Sequence, residues 1–596
     1  MNQLRDISPR KRMWIISFLT ISMFFLLGFR LYQLQIIEGN KYKESSEKNA
    51  IKEKIIQPYR GIFYDRNWKV LVDNKPSYTL QIIPYEFDTS LIPLIESYFK
   101  LNKGYIKYLL KVNKNYSPFI PIRLLRDLTF EQVSWIDENK DNLPGVEYTI
   151  EMQRYYPLGV RASHLFGYCK EISRKELERN PVDYVMGDFV GHNGLEKFYE
   201  NYLRGVKGKR FVFVDSRGRE IGPVNDGNND LEPISGYNLQ LTIDADLQKR
   251  AEELLDKFSG AIVALDPNNG EILALVSKPD FDLSFFSSTT PINIWRELNS
   301  DKRTPLFNRA TSSIYPPGSC FKPVSALAAL NDSLINEMFT FSCGGGFSFG
   351  NHFYKCLGNH GPLNVVHAIE KSCNTFFYRL ILTNGFERWT KYAKIFGFGE
   401  KTGIDIFEEK GGILPSPEYY DRIYGKNKWT KGFIVSLGVG QGELGVTPLQ
   451  MARYVSALAN GGTLYRPHAV RKLFNPETNP KEIIIPVEGE KLPISKEALD
   501  LVREGMFLVV NGNGTATHIR IPDIHIAGKT GTAQNPHGKD HAWFIGFAPF
   551  EKPKIAIAVI VENVGFGGVY AAPIAKQLIE LYLKGKDENT KILASN

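Results

Sequence analysis

Ser319-Cys-Phe-Lys322 follows Tyr315-Pro-Pro-Gly and opens a helical run. Positions i and i+3 share one face of a helix, so the serine Oγ and the lysine Nζ can meet there. The helix N-terminus adds positive potential and free N–H groups, which suit a developing oxyanion. That potential, with partial burial, lowers a lysine pKa and lets the amine act as base for the serine. The spacing alone is weak, because Ser8/Lys11 and Ser45/Lys48 repeat it. The first of these lies in an N-terminal tail and the second in a charged stretch, and neither has a pocket around it.

Two further elements sharpen the pattern. Ser372-Cys-Asn374 lies 53 residues after Ser319, within a helical run. Its hydroxyl could relay a proton, and its amide could orient the leaving group and the lysine. Lys529-Thr530-Gly531-Thr532 ends the strand-like Ile524-His-Ile-Ala. It would set a cation beside the nucleophile, a glycine that admits substrate backbone, and threonines that bind a carboxylate. A decoy, Lys401-Thr-Gly403, sits in a turn-rich acidic segment close behind Ser372.

A second constellation is Cys343, Cys356, His360 and Cys373, spaced Cys-x12-Cys-x3-His-x12-Cys. Three thiolates and an imidazole suit tetrahedral zinc, here as a structural clip on the loop before Ser372. A disulfide or free buried thiols are the alternatives. His352 and His367 are nearby substitutes as ligands. Cys169 is expected as a small buried apolar residue.

The elements that position these groups follow from periodicity. Ala261–Asp266 and Glu271–Ser277 are apolar on successive residues around Pro267-Asn-Asn-Gly, which predicts a hairpin of central strands. Helical patterns cover 321–331, 364–383 and 447–460, and strand patterns return at 523–527, 542–548 and 554–562. Strands at both ends with helices between them describe an α+β domain of about 350 residues. Residues 35 to about 235 are mixed, with short strands such as Tyr78–Ile83 and Arg210–Val214, the latter closed by Asp215-Ser-Arg-Gly. They end in the polar run Asn225–Glu232.

Met13–Phe29 holds 17 residues without a charge, flanked by Arg5, Arg10, Lys11 and Arg12 against Asp6. At 1.5 Å per residue this reaches about 26 Å, near the ~30 Å of a hydrocarbon core. The basic flank places the N-terminus in the cytoplasm. No small-x-small cleavage site follows, so an uncleaved anchor is expected over a signal peptide. The 596 residues carry a net charge of +8 with 43% apolar and 23% charged residues, which is ordinary globular composition. Without a clustered basic face and interleaved aromatics, nucleic-acid binding is excluded. Five cysteines rule out a disulfide-built scaffold.

The ordered set Ser319-x-x-Lys322, Ser372-x-Asn374, Lys529-Thr-Gly531 resembles the penicillin-recognising serine transpeptidases. Tyr315-Pro-Pro-Gly, Gly440-Gln-Gly-Glu, Thr447-Pro-Leu-Gln, Asn460-Gly-Gly and His541-Ala-Trp-Phe-Ile-Gly-Phe narrow the resemblance to class B penicillin-binding proteins. Arg60-Gly-x-x-x-Asp65-Arg66-Asn67 and Gly191-x-x-Gly194-Leu-Glu196 resemble the pedestal motifs of that class. Two residues depart from the pattern: Cys320, where the family has Thr, and Trp68, where it has Gly.

The resemblance implies the transpeptidase fold, an antiparallel sheet flanked by helices with a helical subdomain, behind a mixed α/β pedestal and one transmembrane helix. The expected divisions are a cytoplasmic tail 1–12, an anchor 13–34, a non-catalytic pedestal 35–236, a transpeptidase domain 237–587 and a tail 588–596. It further implies that Ser319 attacks the penultimate D-Ala carbonyl of a stem peptide, with Lys322 as base. The backbone N–H groups of Ser319 and Thr532 would form the oxyanion hole. Ser372 would relay a proton, Asn374 would orient the donor, and Lys529, Thr530, Gly531 and Thr532 would bind it. His360-Gly361 and Cys373 match positions where elongation-type members carry metal ligands. No catalytic cofactor is implied. The implied partners are peptidoglycan stem peptides, lipid-linked nascent glycan, β-lactams, a SEDS-type glycosyltransferase and other elongation-complex membrane proteins. The expected place is the inner membrane with an extracytoplasmic catalytic domain. The main expectation is an elongation transpeptidase; a septal transpeptidase, a D,D-carboxypeptidase and a β-lactam sensor are the alternatives.

Overall fold

A computed structural model describes residues 9–39, 51–114, 118–119, 121–179, 184–185, 187–214, 220–287, 290–426 and 428–594. Ser8, the Ser45/Lys48 pair, the turn at 215–218, most of the expected cytoplasmic tail and the last residues of the C-terminal tail lie outside the described residues. The chain divides into two compact units.

The first unit comprises residues 1–58 and 205–235. Its helix Pro9–Tyr32 continues into a wider i→i+5 turn, Gln33–Ile37. Met13–Ile37 is 25 residues long with mean hydropathy 1.9, and none of it is buried. At 1.5 Å per residue it reaches about 37 Å, more than the charge-free stretch alone. Arg30 does not end it: the guanidinium folds onto Gln33 Oε1 at 2.7 Å. A helix apolar on every side finds its solvent in hydrocarbon. The unit also holds an antiparallel sheet in the order Ile51–Ile56, Gly208–Val214, Glu220–Pro223.

The second unit comprises residues 59–204 and 236–596. One of its sheets joins segments on either side of residue 236. Phe63–Tyr64 pairs in parallel with Asn238–Leu241, which pairs with Val470–Phe474. The long strand Val70–Ile82 adds to this sheet and pairs antiparallel with Val146–Tyr155. The pedestal-like motifs form its buried polar anchors. Arg60 Nε donates to Glu196 Oε2 at 2.6 Å and Arg154 Nε to Glu196 Oε1 at 2.7 Å. Arg66 and Arg471 both donate to Glu271. Cys169 is buried but is not merely apolar, because its thiol donates to Glu196 Oε2 at 3.2 Å. Trp68 has φ +65°, the left-handed region in which glycine is the ordinary occupant. Its ring packs edge-on against Phe474 at 5.4 Å, with Lys472 Nζ 5.2 Å from its centroid.

The other sheet of this unit has five antiparallel strands in the order Ile272–Lys278, Gly260–Leu265, Ile555–Val561, His541–Ala548, Ala527–Ala533. The predicted hairpin is its first pair. Every residue of Gly260–Leu265, Ile272–Lys278 and Ile555–Val561 is buried, so both faces are covered. Helices Ala245–Leu255, Gly567–Ala594, Pro448–Ala459 and Lys496–Asn511 pack on it. Pro448 at N1 and a Thr447/Gln450 capping box start one of these as the sequence directs.

Two expectations are corrected. Residues 523–526 are not strand: Asp523 turns at φ +64°, and the strand runs Ala527–Ala533, so Lys529-Thr-Gly lies inside it. The helical run 364–383 is two helices, Val365–Glu370 and Asn374–Asn384, broken where Ser372 adopts φ +53°.

Candidate active site

Pro316-Pro317-Gly318 delivers the chain to Ser319. Gly318 sits at φ +54°, and a Cβ there would lie 2.8 Å from Thr532 O. Its N–H donates to Gly440 O at 2.9 Å. Residues Gly318–Phe321 form one 3-10 turn that leads into the helix Lys322–Asn331. The turn leaves Ser319 half-buried between buried neighbours. Trp543 Nε1 donates to Pro316 O at 3.0 Å, and Tyr315 Oη donates to Glu562, so the turn is held from both sides.

Lys322 is wholly buried. Its Nζ donates to Ser372 O at 2.7 Å, Ser372 Oγ at 3.1 Å and Asn374 Oδ1 at 2.7 Å. Lys529, equally buried, donates to Ser372 Oγ at 2.8 Å and Thr530 O at 3.0 Å. Ser372 Oγ thus bridges two amines. The left-handed backbone at Ser372 breaks the helix and turns both its carbonyl and its hydroxyl to Lys322. Burial drives the Lys322 pKa well below its ordinary value, and the Lys529 charge adds to this. Burial lowers Lys529 to about 8. Near neutral pH, one amine is set to accept a proton while the other keeps its charge.

Thr530 is buried and its hydroxyl lies 2.6 Å from Thr515 Oγ1, a partner the sequence did not signal. Gly531 packs flush on the Gly318–Phe321 turn: a Cβ there would meet Cys320 Sγ at 2.8 Å and Pro317 O at 3.0 Å. Cys320 is buried beneath the strand and donates to Lys529 O at 3.3 Å, and burial raises its pKa to about 12. Gln441, part of a motif without an assigned role, donates to Thr532 O at 3.1 Å. The decoy lies elsewhere: Thr402 and Gly403 are held by Glu409 in a loop with no strand.

The antiparallel pair Phe341–Phe349 and His352–Leu363 carries Cys343, Cys356 and His360, and Cys373 caps the helix that begins at Asn374. Their four ligand atoms lie within 4.8 Å of one another. Cys343 and Cys356 Sγ are each 3.6 Å from His360 Nδ1, and Cys356 Sγ is 3.9 Å from Cys373 Sγ. A tetrahedral zinc with ordinary bond lengths sets S···N near about 3.6 Å and S···S near about 3.8 Å. The donor set and its spacing therefore fit the ion. All five cysteines are free thiols. His352 packs against Tyr354, and His367 pairs with Glu370, so neither joins the cluster.

Residues 260–580 match the family model "Penicillin binding protein transpeptidase domain", and residues 55–241 match "Penicillin-binding Protein dimerisation domain". The chain belongs to the penicillin-binding proteins. This penicillin-binding protein is 34% identical to the peptidoglycan D,D-transpeptidase MrdA of Acinetobacter baumannii, over 98% of this chain and 90% of the relative. It is 32% identical to MrdA of Escherichia coli K12, over 100% and 98%. The structure of penicillin-binding protein 2 (PBP2) from Helicobacter pylori in complex with MreC is similar at TM-score 0.78 and 29% identity, covering 90% of this chain and all of that one. These likenesses put this penicillin-binding protein in the elongation-type PBP2 group, as the motifs implied, with the transpeptidase fold behind a dimerisation domain.

Proposed function

We propose that this penicillin-binding protein cross-links peptidoglycan stem peptides during cell elongation through an acyl-enzyme on Ser319, and that β-lactams acylate the same serine. The observation that carries the reading is the pair of buried lysines that share Ser372 Oγ. Lys322, neutral because it is buried, takes the proton as Ser319 Oγ attacks the penultimate D-Ala carbonyl. The N–H groups of Ser319 and Thr532 receive the oxyanion. Ser372 passes a proton to the departing D-Ala nitrogen. Lys529, with Thr530, Gly531 and Thr532, binds the donor carboxylate, and Asn374 holds Lys322 and orients the donor. An acceptor amine then attacks the ester and frees Ser319. Labelling of membranes by a fluorescent penicillin should vanish in Ser319→Ala; persistent labelling would overturn the assignment.

The Cys343–Cys356–His360–Cys373 set would hold a structural zinc, four-coordinate and closed to substrate, that ties the two-stranded arm to the Ser372-x-Asn374 break. Purified protein should contain about one equivalent of zinc, and chelation should lower its melting temperature. Metal analysis that finds none would reject the site. The apolar helix supports a single-pass inner-membrane protein with residues 1–12 in the cytoplasm, because the basic flank favours that side. The division into anchor 13–34, pedestal 35–236, transpeptidase domain 237–587 and tail 588–596 remains our reading. A SEDS-type glycosyltransferase and other elongation-complex membrane proteins are the proposed partners on lipid-linked nascent glycan. In support, the chain is similar to a solved peptidoglycan synthase complex that coordinates polymerization and crosslinking.

A further inference from the structure

The turn Ser436–Gln441 touches all three motif elements. Gly438 lies against the helix that begins at Asn374: a Cβ there would stand 2.5 Å from Phe377 O and 2.9 Å from Ile381 Cγ2. Gly438 O also accepts from Ser325 Oγ, on the helix that follows Lys322, at 3.4 Å. Gly440 O accepts the Gly318 N–H, one residue before the nucleophile, at 2.9 Å. The approach is so close that a Cβ on Gly440, at φ +73°, would stand 2.1 Å from Gly318 O. Gln441 then donates its side-chain N–H to Thr532 O at 3.1 Å. The turn itself is fixed from within, by Gly440 N to Leu437 O and Gln441 N to Ser436 O, both at 3.0 Å.

Ala527–Ala533 is an edge strand of its sheet. In an antiparallel ladder each residue's N–H and C=O point to the same side, and that side alternates along the strand. Thr532 O accepts from Gln441, outside the sheet, so the Thr532 N–H is presented along the same open edge. Two consecutive residues, Gly440 and Gln441, therefore hold the backbone on both sides of the space between the Ser319 and Thr532 N–H groups. An oxyanion hole depends on the fixed separation of its donors, because donors that must move during reaction lose their advantage.

We propose that Gln441 is a positioning residue for acyl transfer, which sets the Thr532 N–H against the nucleophile turn through the Thr532 carbonyl. It acts through Thr532 and not on the substrate. The inference rests on Ser319 as the nucleophile, a reading the Ser319→Ala labelling tests by itself.

The test uses the detergent-solubilised full chain with Gln441→Met, which keeps the length but cannot donate, and Gln441→Glu, which offers the Thr532 carbonyl a charge that repels it. Stopped-flow labelling with a fluorescent penicillin separates the non-covalent constant K from the acylation rate k2. Both variants should lower k2 by about ten- to a hundredfold and leave K within about threefold. A boronic acid, which becomes a tetrahedral anion on the serine, should lose affinity by the same factor as k2. The rate is taken per molecule that labels, so a misfolded fraction does not enter it even if a variant melts early. An unchanged k2 in either variant, or a loss confined to K, would overturn the proposal.

Discussion

Two clusters of buried charge in the second unit of the molecule differ in how they are balanced. In the pedestal-like part, Arg60 and Arg154 converge on Glu196, and Arg60 also reaches Glu200. Two cations meet two carboxylates, so the site is close to neutral. Burial opposes ionisation of Glu196, but Arg154 and Arg60 hold its pKa below the ordinary value. In the active site, Lys322 and Lys529 donate to hydroxyl, amide and carbonyl oxygens and, among the described residues, to no carboxylate. No carboxylate there pairs with either amine: burial lowers both pKa values, and the Lys529 charge lowers that of Lys322 further. A balanced cluster keeps its protons and holds a fold together. An unbalanced one is left ready to exchange a proton.

Exchanging the demands of the two clusters should give opposite failures. Lys322→Arg keeps the charge, but guanidinium cannot be neutralised in a protein, so no base remains. Penicillin acylation should fall by a factor of about 10³ or more, with the fold intact by thermal melting. Glu196→Gln should do the reverse. It leaves two buried guanidinium groups short of a counter-charge and should destabilise the second unit by about 3–5 kcal/mol, read as a lower melting temperature. Acylation per folded molecule should stay within about twofold. A Lys322→Arg enzyme that still acylates at a normal rate would show that the buried amine is not the base.

What the sequence made legible, and what it hid, follows the same divide between local and distant contacts. Ser319 and Lys322 stand on adjoining turns of one helical segment, so their nearness in the chain is written in their spacing, and the hairpin at 260–278 is written in two apolar runs. The family motifs then supplied the order in which distant pieces return. The break at Ser372 left no trace, because no glycine or proline marks it. Its left-handed backbone is held by tertiary bonds from Lys322 and Lys529. The strand at 527–533 was placed too early, at 523–527, because the apolar run stops before Gly528. Gly528 and Gly531 are glycines because neighbours lie against them: Gly528 faces Phe544, and Gly531 faces Cys320 and Pro317 O. Cys169 looked inert, since nothing in its sequence neighbourhood points to Glu196. Thr515 and Gln441 gained their roles from partners 15 and 91 residues away.

The finest test of the contrast is pH, because only the unbalanced cluster titrates near neutrality. Lys322 must be neutral to accept a proton, so acylation should rise with pH as its lowered pKa is passed. Lys529 must be charged to hold a carboxylate, so binding should weaken above about 8, where its amine loses the proton. The sign differs between the two parameters: the acid limb belongs to k2 and the alkaline limb to K. For a penicillin, which carries a carboxylate, K should rise about tenfold per unit once pH exceeds the Lys529 pKa. A boronic acid without a carboxylate should lack that limb, and Lys529→Arg should remove it for penicillin as well, because a guanidinium keeps its charge there. An alkaline limb that persists with the carboxylate-free ligand would assign the titration to a group other than Lys529. It would also remove the argument that this second cation is kept for the substrate.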